Sequence, residues 1–327
     1  MQKHSLLRLL VLFGLLLAAC RTSVTPPSAS QPAATEQQTP GSTDVGIEPA
    51  LNDPPGFTPE AESAEPTGAA PVFETPAIPP TPLAAGLLPA GSITLITLGD
   101  SLTEGSGDND LGIGYPGRLL AKIETIRPGS TLFNYGHSGW SSDDLIKGIQ
   151  DTPSQLDQAL KTIAAAQAAG QPALVTIWIG SNDLWYLYEY GPEPMTSEAE
   201  AADLANFRHN VQTILAQVRA AGAYVLIAQG DDQSLRPVVS NPPNPAEPAF
   251  TTITPTDRQR MSIQIGLYNQ AIAELADQYG AGVVDFYHTN LFVDGAALDG
   301  DGNHPNSAGY DQIAAIWFQA VIPLFDK

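Results

Sequence analysis

Ser92-Ile93-Thr94-Leu95-Ile96-Thr97-Leu98-Gly99-Asp100-Ser101-Leu102-Thr103-Glu104-Gly105 joins a β-branched apolar run to a short polar turn. Residues 93–98 favour an extended, two-face-buried strand, and the glycine behind them permits a tight bend. A serine at such a bend projects its hydroxyl at the edge of a sheet, where its own N–H also points toward any anion. Ser101 is therefore a candidate nucleophile. The same residue type in the same place is equally suited to capping a helix, and these residues alone leave both roles open.

Working outward, four more short apolar runs follow: Thr131–Tyr135, Leu174–Ile179, Tyr224–Ala228 and Val283–Phe286. Amphipathic helical segments separate them. Met261, Ile265, Tyr268, Ile272 and Leu275 share one helical face behind a capping-box pattern at Thr256–Gln259. Leu204, Phe207, Val211, Ile214, Leu215 and Val218 mark a second helix, and Tyr310, Ile313, Ile316, Trp317 and Ala320 the last. Alternating strand and helix predicts an α/β fold, a three-layer α/β/α sandwich around a five-stranded parallel sheet with right-handed crossovers. Ligands bind such sheets outside the carboxyl ends of the strands, so the residues just after each strand carry the chemistry.

Three further segments qualify. Asn134-Tyr135-Gly136-His137-Ser138-Gly139-Trp140 and Gly180-Ser181-Asn182-Asp183 offer glycine N–H groups and an asparagine amide, the donors that hold an oxyanion. Asp301-Gly302-Asn303-His304-Pro305-Asn306 places a carboxylate three residues before an imidazole. Pro305 disfavours helix at His304 and suits the first helical position, which predicts His304 at an exposed helix entrance. A short loop there can hold Asp301 against one ring nitrogen and leave the other for Ser101.

The set GDSLTEG, NYGHSGWS, GSND and DGNHPN, in this order across residues 99–306, resembles the four blocks of the GDSL esterase/lipase (SGNH hydrolase) family. The resemblance spans Gly91–Lys327 and implies a flavodoxin-like hydrolase fold. It also implies a nucleophile at Ser101, a general base at His304 and an orienting carboxylate at Asp301. The oxyanion would be held by the N–H groups of Ser101 and Gly139 and by the Asn182 side chain. Asp183 is expected to cap the following helix.

His137, His209 and His288 have no partner at metal-ligand spacing, and no His-Glu-x-x-His, Gly-x-Ser-x-Gly or phosphate-binding glycine loop occurs. The sequence thus predicts no cofactor and no metal. Two segments are expected to shape the substrate site: the aromatic run Leu184–Tyr190, and the long Pro/Asn/Asp loop Gly230–Pro255 as a lid or wall.

Of 327 residues, 35 are acidic and 14 basic, for a net charge of −21. From Gly91 onward 27 acidic residues face 11 basic ones, which argues against binding nucleic acid through phosphates. Cys20 is the single cysteine. It ends Leu17-Ala18-Ala19-Cys20, after a basic start (Lys3, Arg8) and an apolar run too short to span a bilayer. This resembles a bacterial lipoprotein signal, which implies cleavage after residue 19 and lipidation of Cys20. Residues 21–90 hold 15 of the 29 prolines and read as a disordered tether. The expected organisation is a signal over 1–19, a lipidated tether over 20–90 and a hydrolase domain over 91–327. The expected protein is a monomer held outside the cytoplasm on a membrane by lipidated Cys20.

The function expected is hydrolysis of acyl esters of carbohydrates or small lipid-like alcohols through an acyl-enzyme. A lysophospholipase or thioesterase, an acyltransferase, and a non-catalytic glycan-binding protein are the alternatives.

Overall fold

The computed structural model describes residues 87–325 apart from Glu247. The expected signal, Cys20 and nearly all of the expected tether lie outside the described residues.

Every residue of β1 (Thr94–Gly99) and β3 (Ala173–Trp178) is buried, because successive side chains point to opposite faces and both faces are covered. With β2 (Thr131–Asn134), β4 (Tyr224–Gln229) and β5 (Gly282–Asp285) they form one parallel sheet in the order β2-β1-β3-β4-β5. This is the expected three-layer arrangement. The edge strands depart from the expected burial: Phe133 of β2 is 44 % exposed and Val283 of β5 is 40 % exposed.

Ile96, Leu98, Val175, Ile177, Val225 and Ile227 face one core. There they meet α3 (Ser142–Lys147), α4 (Gln155–Ala168), α5 (Ser181–Tyr190), α6 (Ser197–Ala220) and α8 (Pro255–Tyr279). Leu95, Leu174, Trp178, Leu226 and Val284 face the other core, built on α2 (Gly114–Glu124) and α9 (Ser307–Val321). Two short helices, α1 (Ser101–Glu104) and α7 (Pro237–Ser240), sit in the connections. No helix among the described residues is long and apolar enough to cross a membrane.

Three local expectations shift. The capping box of α8 is Thr254 with Asp257, two residues earlier than expected, because Pro255 takes the first helical position. Pro305 does not open α9: it bridges to Leu298, and Asn306 is the cap, accepting the Gly309 N–H at 3.0 Å. The packed chain also starts before Gly91. Leu88 is fully buried, donates its N–H to the Leu324 carbonyl at 2.6 Å and bridges to Phe325.

The sheet order reverses between β1 and β3, and the crevice at the carboxyl ends of those strands is where such sheets bind ligands. Ser101 follows β1 and Asn182 follows β3.

Candidate active site

Gly99 has no room for a side chain: a Cβ would lie 2.2 Å from the Trp178 carbonyl and 2.3 Å from Thr103 Oγ1. The buried Gln155 amide brackets it, accepting its N–H at 2.9 Å and donating to its carbonyl at 2.8 Å. The turn that follows is thereby fixed to the sheet. Asp100 is the cap of α1, accepting the Leu102 N–H at 3.0 Å, so the capping role left open for Ser101 is already filled. Asp100 is fully buried, which pushes its carboxyl up to about 6 despite the opposing pull of the Leu102 N–H and of the Arg236 charge.

Ser101 Oγ lies 3.0 Å from His304 Nε2, and His304 Nδ1 lies 2.5 Å from Asp301 Oδ2. Asp301 Oδ1 accepts the N–H groups of Asn303 and His304 at 2.8 and 2.9 Å. Burial raises the Asp301 carboxyl, but these bonds together outweigh it and hold the group at about 2. An ionised carboxylate has no proton to give, so His304 Nδ1 must carry the hydrogen between them. Nε2 is then left as the acceptor for the Ser101 hydroxyl.

The second loop is held from both sides. Glu104 accepts the Ser138 N–H at 3.0 Å and also the Ser138 hydroxyl. From α5, Tyr186 donates its hydroxyl to the Gly139 carbonyl at 2.7 Å and Asn182 donates its amide to the Trp140 carbonyl at 2.9 Å. Asn182 Nδ2 carries a second hydrogen, and Asn182 and Gly139 both line the same cleft as Ser101. Gly139 adopts a φ of +78°, a left-handed conformation that favours glycine.

Asp183 does not cap its own helix. It is buried against the first turn of α3, accepting the Ser142 N–H at 2.9 Å and hydroxyl at 2.5 Å. Burial raises its carboxyl to about 7 in spite of these bonds. His137 stacks on Trp140 with ring centroids 4.8 Å apart. No cluster of three or more His, Cys, Asp or Glu among the described residues could hold a metal.

The cleft measures about 260 Å³. The two segments expected to shape it both reach it: Trp185 and Tyr186 from α5, Arg236 and Phe250 from the 230–255 loop. Phe250 stacks on Trp185 at 4.3 Å, and Glu189 accepts the Thr251 and Thr252 N–H groups at 3.1 and 3.3 Å. These contacts make that loop a wall. A larger cavity of about 620 Å³ is lined by Tyr188, Pro194, Met195, Thr254, Asp257 and Arg260, and the hydroxyl–carboxylate contact there, Thr254 to Asp257 at 2.6 Å, is the capping box of α8. The sequence reading missed Gln155, Glu104 and Arg236. Only Arg236 had a signal, as the single basic residue between Arg219 and Arg258.

Residues 97–312 match the model of the GDSL-like lipase/acylhydrolase family. No curated protein matches the chain significantly. Among solved structures, the lipase Lip_vut3 from a goat rumen metagenome is 19 % identical, with a TM-score of 0.50 over 70 % of this chain and 97 % of its own. LAE5, an alpha/beta hydrolase enzyme from the metagenome of Lake Arreo, is 20 % identical, with a TM-score of 0.46 over 74 % and 100 %. A family 3 carbohydrate esterase of Clostridium thermocellum is 18 % identical, with a TM-score of 0.43 over 71 % and 96 %. These likenesses are of fold. With the family model covering well over half of the chain, the protein belongs to the GDSL-like lipase/acylhydrolase family and, as a member of it, is a carboxylic ester hydrolase.

Proposed function

We propose that the protein is a serine esterase that removes acyl groups from carbohydrates or small lipid-like alcohols through a covalent acyl-enzyme. The observation that carries this reading is the continuous path from Ser101 Oγ to His304 Nε2 at 3.0 Å and from His304 Nδ1 to Asp301 at 2.5 Å. A serine hydroxyl becomes a competent nucleophile when an adjacent base takes its proton, and Asp301 stabilises the imidazolium that forms. As Oγ bonds to the ester carbon, its proton passes to Nε2. The carbonyl oxygen, now negative, takes hydrogen bonds from the N–H groups of Ser101 and Gly139 and from the free Asn182 amide hydrogen. His304 then returns the proton to the departing alkoxide. Water repeats the sequence on the acyl-serine and restores Ser101.

A cleft of only about 260 Å³, walled by Trp185, Tyr186 and Phe250, favours a small acyl group beside an aromatic surface for the alcohol. A panel of p-nitrophenyl esters from acetyl to palmitoyl, with acetylated xylan and a lysophospholipid, tests this. Turnover concentrated on short acyl groups is expected. Failure to cleave any of them, together with resistance to organophosphonates that label active serines, would defeat the esterase reading.

The same proposal places the enzyme outside the cytoplasm, as a monomer tethered to a membrane through lipidated Cys20. Detergent partition checks the anchor: wild type is expected in the detergent phase and Cys20→Ala in the aqueous phase, with equal esterase activity. Equal aqueous recovery of both would remove the anchor.

A further inference from the structure

Arg236 is 1 % exposed, and a buried guanidinium is costly unless fully paired. Its pairing is directional. Nε and Nη2 donate to the two oxygens of Asp231 at 2.8 and 2.6 Å, which fixes the plane of the fork. Nη1 donates to Asn303 Oδ1 at 2.8 Å, and the group lies over the Phe292 ring at 4.3 Å. Asp231 stands two residues beyond β4, and Gly230 between them is bracketed by Asn269, which accepts its N–H and donates to its carbonyl, each at 2.8 Å. A chain of fixed directions therefore runs from the sheet through Asp231 and Arg236 to Asn303, the residue before His304.

The loop carrying Asp301 and His304 needs such an external hold. The Asp301 and His304 side chains are 44 % and 22 % exposed, so burial alone does not immobilise them. Their mutual hydrogen bonds fix the imidazole relative to the carboxylate and say nothing about its place relative to Ser101. The Leu298–Pro305 bridge and the Asn306 amide, which donates to the Ala296 and Leu298 carbonyls, hold the base of the loop. Its tip is held by Arg236 and by the neighbouring Val238 N–H, which donates to the Gly302 carbonyl at 3.0 Å. Gly302 packs so closely there that a Cβ would meet Pro237 and Pro243 at 3.0 Å.

We propose that Arg236 is a positioning residue of this hydrolase: through Asn303 it sets the loop so that the His304 imidazole meets Ser101. The proposal rests on the reading of Ser101, His304 and Asp301 as the reacting set. Misplacing a catalytic group by about 1 Å can cost on the order of 100-fold in rate without touching substrate binding.

Asn303→Ala is the informative variant, because it removes the acceptor and leaves the buried Arg236–Asp231 pair intact, whereas removing Arg236 strands a buried carboxylate. The expected result is a fall in kcat of about 10- to 100-fold with KM within about twofold. Melting temperature should fall only modestly, because one buried donor of Arg236 loses its acceptor while the paired Asp231 contacts are kept. The low-field NMR resonance of the His304 Nδ1 proton should shift or broaden. Asn303→Asp keeps an oxygen facing Nη1 and should restore most of kcat on the pH plateau, along with the resonance. Wild-type kcat and an unmoved resonance in Asn303→Ala would overturn the proposal, as would equal losses in the Ala and Asp variants. If the wild type cleaves no ester, the esterase reading falls. The imidazole resonance, which needs no turnover, still decides whether Arg236 sets the loop.

Discussion

Two turns in this molecule have the same construction and different surroundings. In Asp301-Gly302-Asn303-His304, one carboxylate oxygen accepts the His304 N–H at 2.9 Å and the other meets His304 Nδ1 at 2.5 Å. In Asp285-Phe286-Tyr287-His288, at the end of β5, the corresponding distances are 3.1 and 2.7 Å. Both carboxyls lie below the usual range: burial works against this in each case, and the hydrogen bonds to the histidine outweigh it. Yet the His304 side chain is 22 % exposed and faces Ser101, while that of His288 is 78 % exposed. A carboxylate three residues before a histidine is thus a local turn that assembles itself. What makes one of them a candidate general base is the tertiary frame that brings a hydroxyl to its Nε2.

The contrast is broken most directly by removing each imidazole. His304→Ala should lower kcat by about 10⁴-fold or more, the scale seen when the base of a serine triad is lost. His288→Ala should stay within about twofold of wild type on the same ester. Comparable losses in both would mean that the hydroxyl contact at 3.0 Å is not what distinguishes them.

The orienting carboxylates provide the next step down. Asp301→Asn should cost about 10³- to 10⁴-fold in kcat, because an amide in place of the carboxylate no longer holds the hydrogen on Nδ1 or stabilises the imidazolium. Asp285→Asn, making the equivalent local change, should leave steady-state kinetics untouched. Parallel kcat measurements with saturating substrate check this, and a small Asp301→Asn effect would detach Asp301 from the chemistry.

The 301–304 turn also shares its cleft with Gly139 and Asn182, the proposed oxyanion donors. Asn182→Ala should lower kcat by about 100- to 1,000-fold, roughly 3 to 4 kcal/mol, with KM little changed, since the donor is best placed for charge that develops only in the transition state. The Asn182 amide already donates to the Trp140 carbonyl, so a modest fall in melting temperature is expected as well. A variant that melts lower yet keeps its turnover would reduce Asn182 to a loop fastener and weaken the matching role of Gly139.

How much of this was legible in the sequence follows from how local each feature is. β1, β3 and β4 announce themselves because burial on both faces demands nearly continuous apolar residues. The proposed reacting groups lie in contiguous blocks, Ser101 just after β1 and Asp301 and His304 just before α9, and Gly99 shows why the first is so recognisable: any side chain there would strike Trp178 and Thr103. The spacing in 285–288 was equally readable, but spacing cannot say which of two identical turns meets a serine. Arg236 joins Asp231, five residues before it, to Asn303, 67 residues after it, and no local pattern encodes that second contact. Asp183 was misjudged for the same reason, its partner Ser142 lying 41 residues earlier. At α8 two overlapping caps competed, Thr254–Asp257 and Thr256–Gln259, and Pro255 decided between them.

The last and smallest effect concerns which carboxylates govern stability. Asp301, held at about 2, stays ionised in the folded protein throughout pH 5 to 8 and contributes no pH dependence there; its stabilisation is lost only as pH falls from about 4 toward 2. Asp183 behaves oppositely. Its carboxyl is raised by burial to about 7 against an ordinary value of 3.8, so folding favours the protonated form. That contribution is complete below about pH 4 and is lost as pH rises to 7. Asp203, raised to about 6 by burial against the Tyr268 hydroxyl bond, and Asp100, at about 6, act in the same direction. The domain should therefore melt higher at pH 5 than at pH 8. Asp183→Asn imitates the neutral acid: its oxygen can accept the Ser142 N–H and its amide can donate to Ser142 Oγ. It should flatten the pH 5 to 8 slope by a few degrees, about 2–4 °C per kcal/mol for a domain of this size. Asp301→Asn should leave that slope as it is. Calorimetry at pH 5, 6.5 and 8 on wild type and both variants decides the matter. A slope that persists in Asp183→Asn and vanishes in Asp301→Asn would mean that the exposed turn, rather than the buried acid beside Asn182, couples this fold to pH.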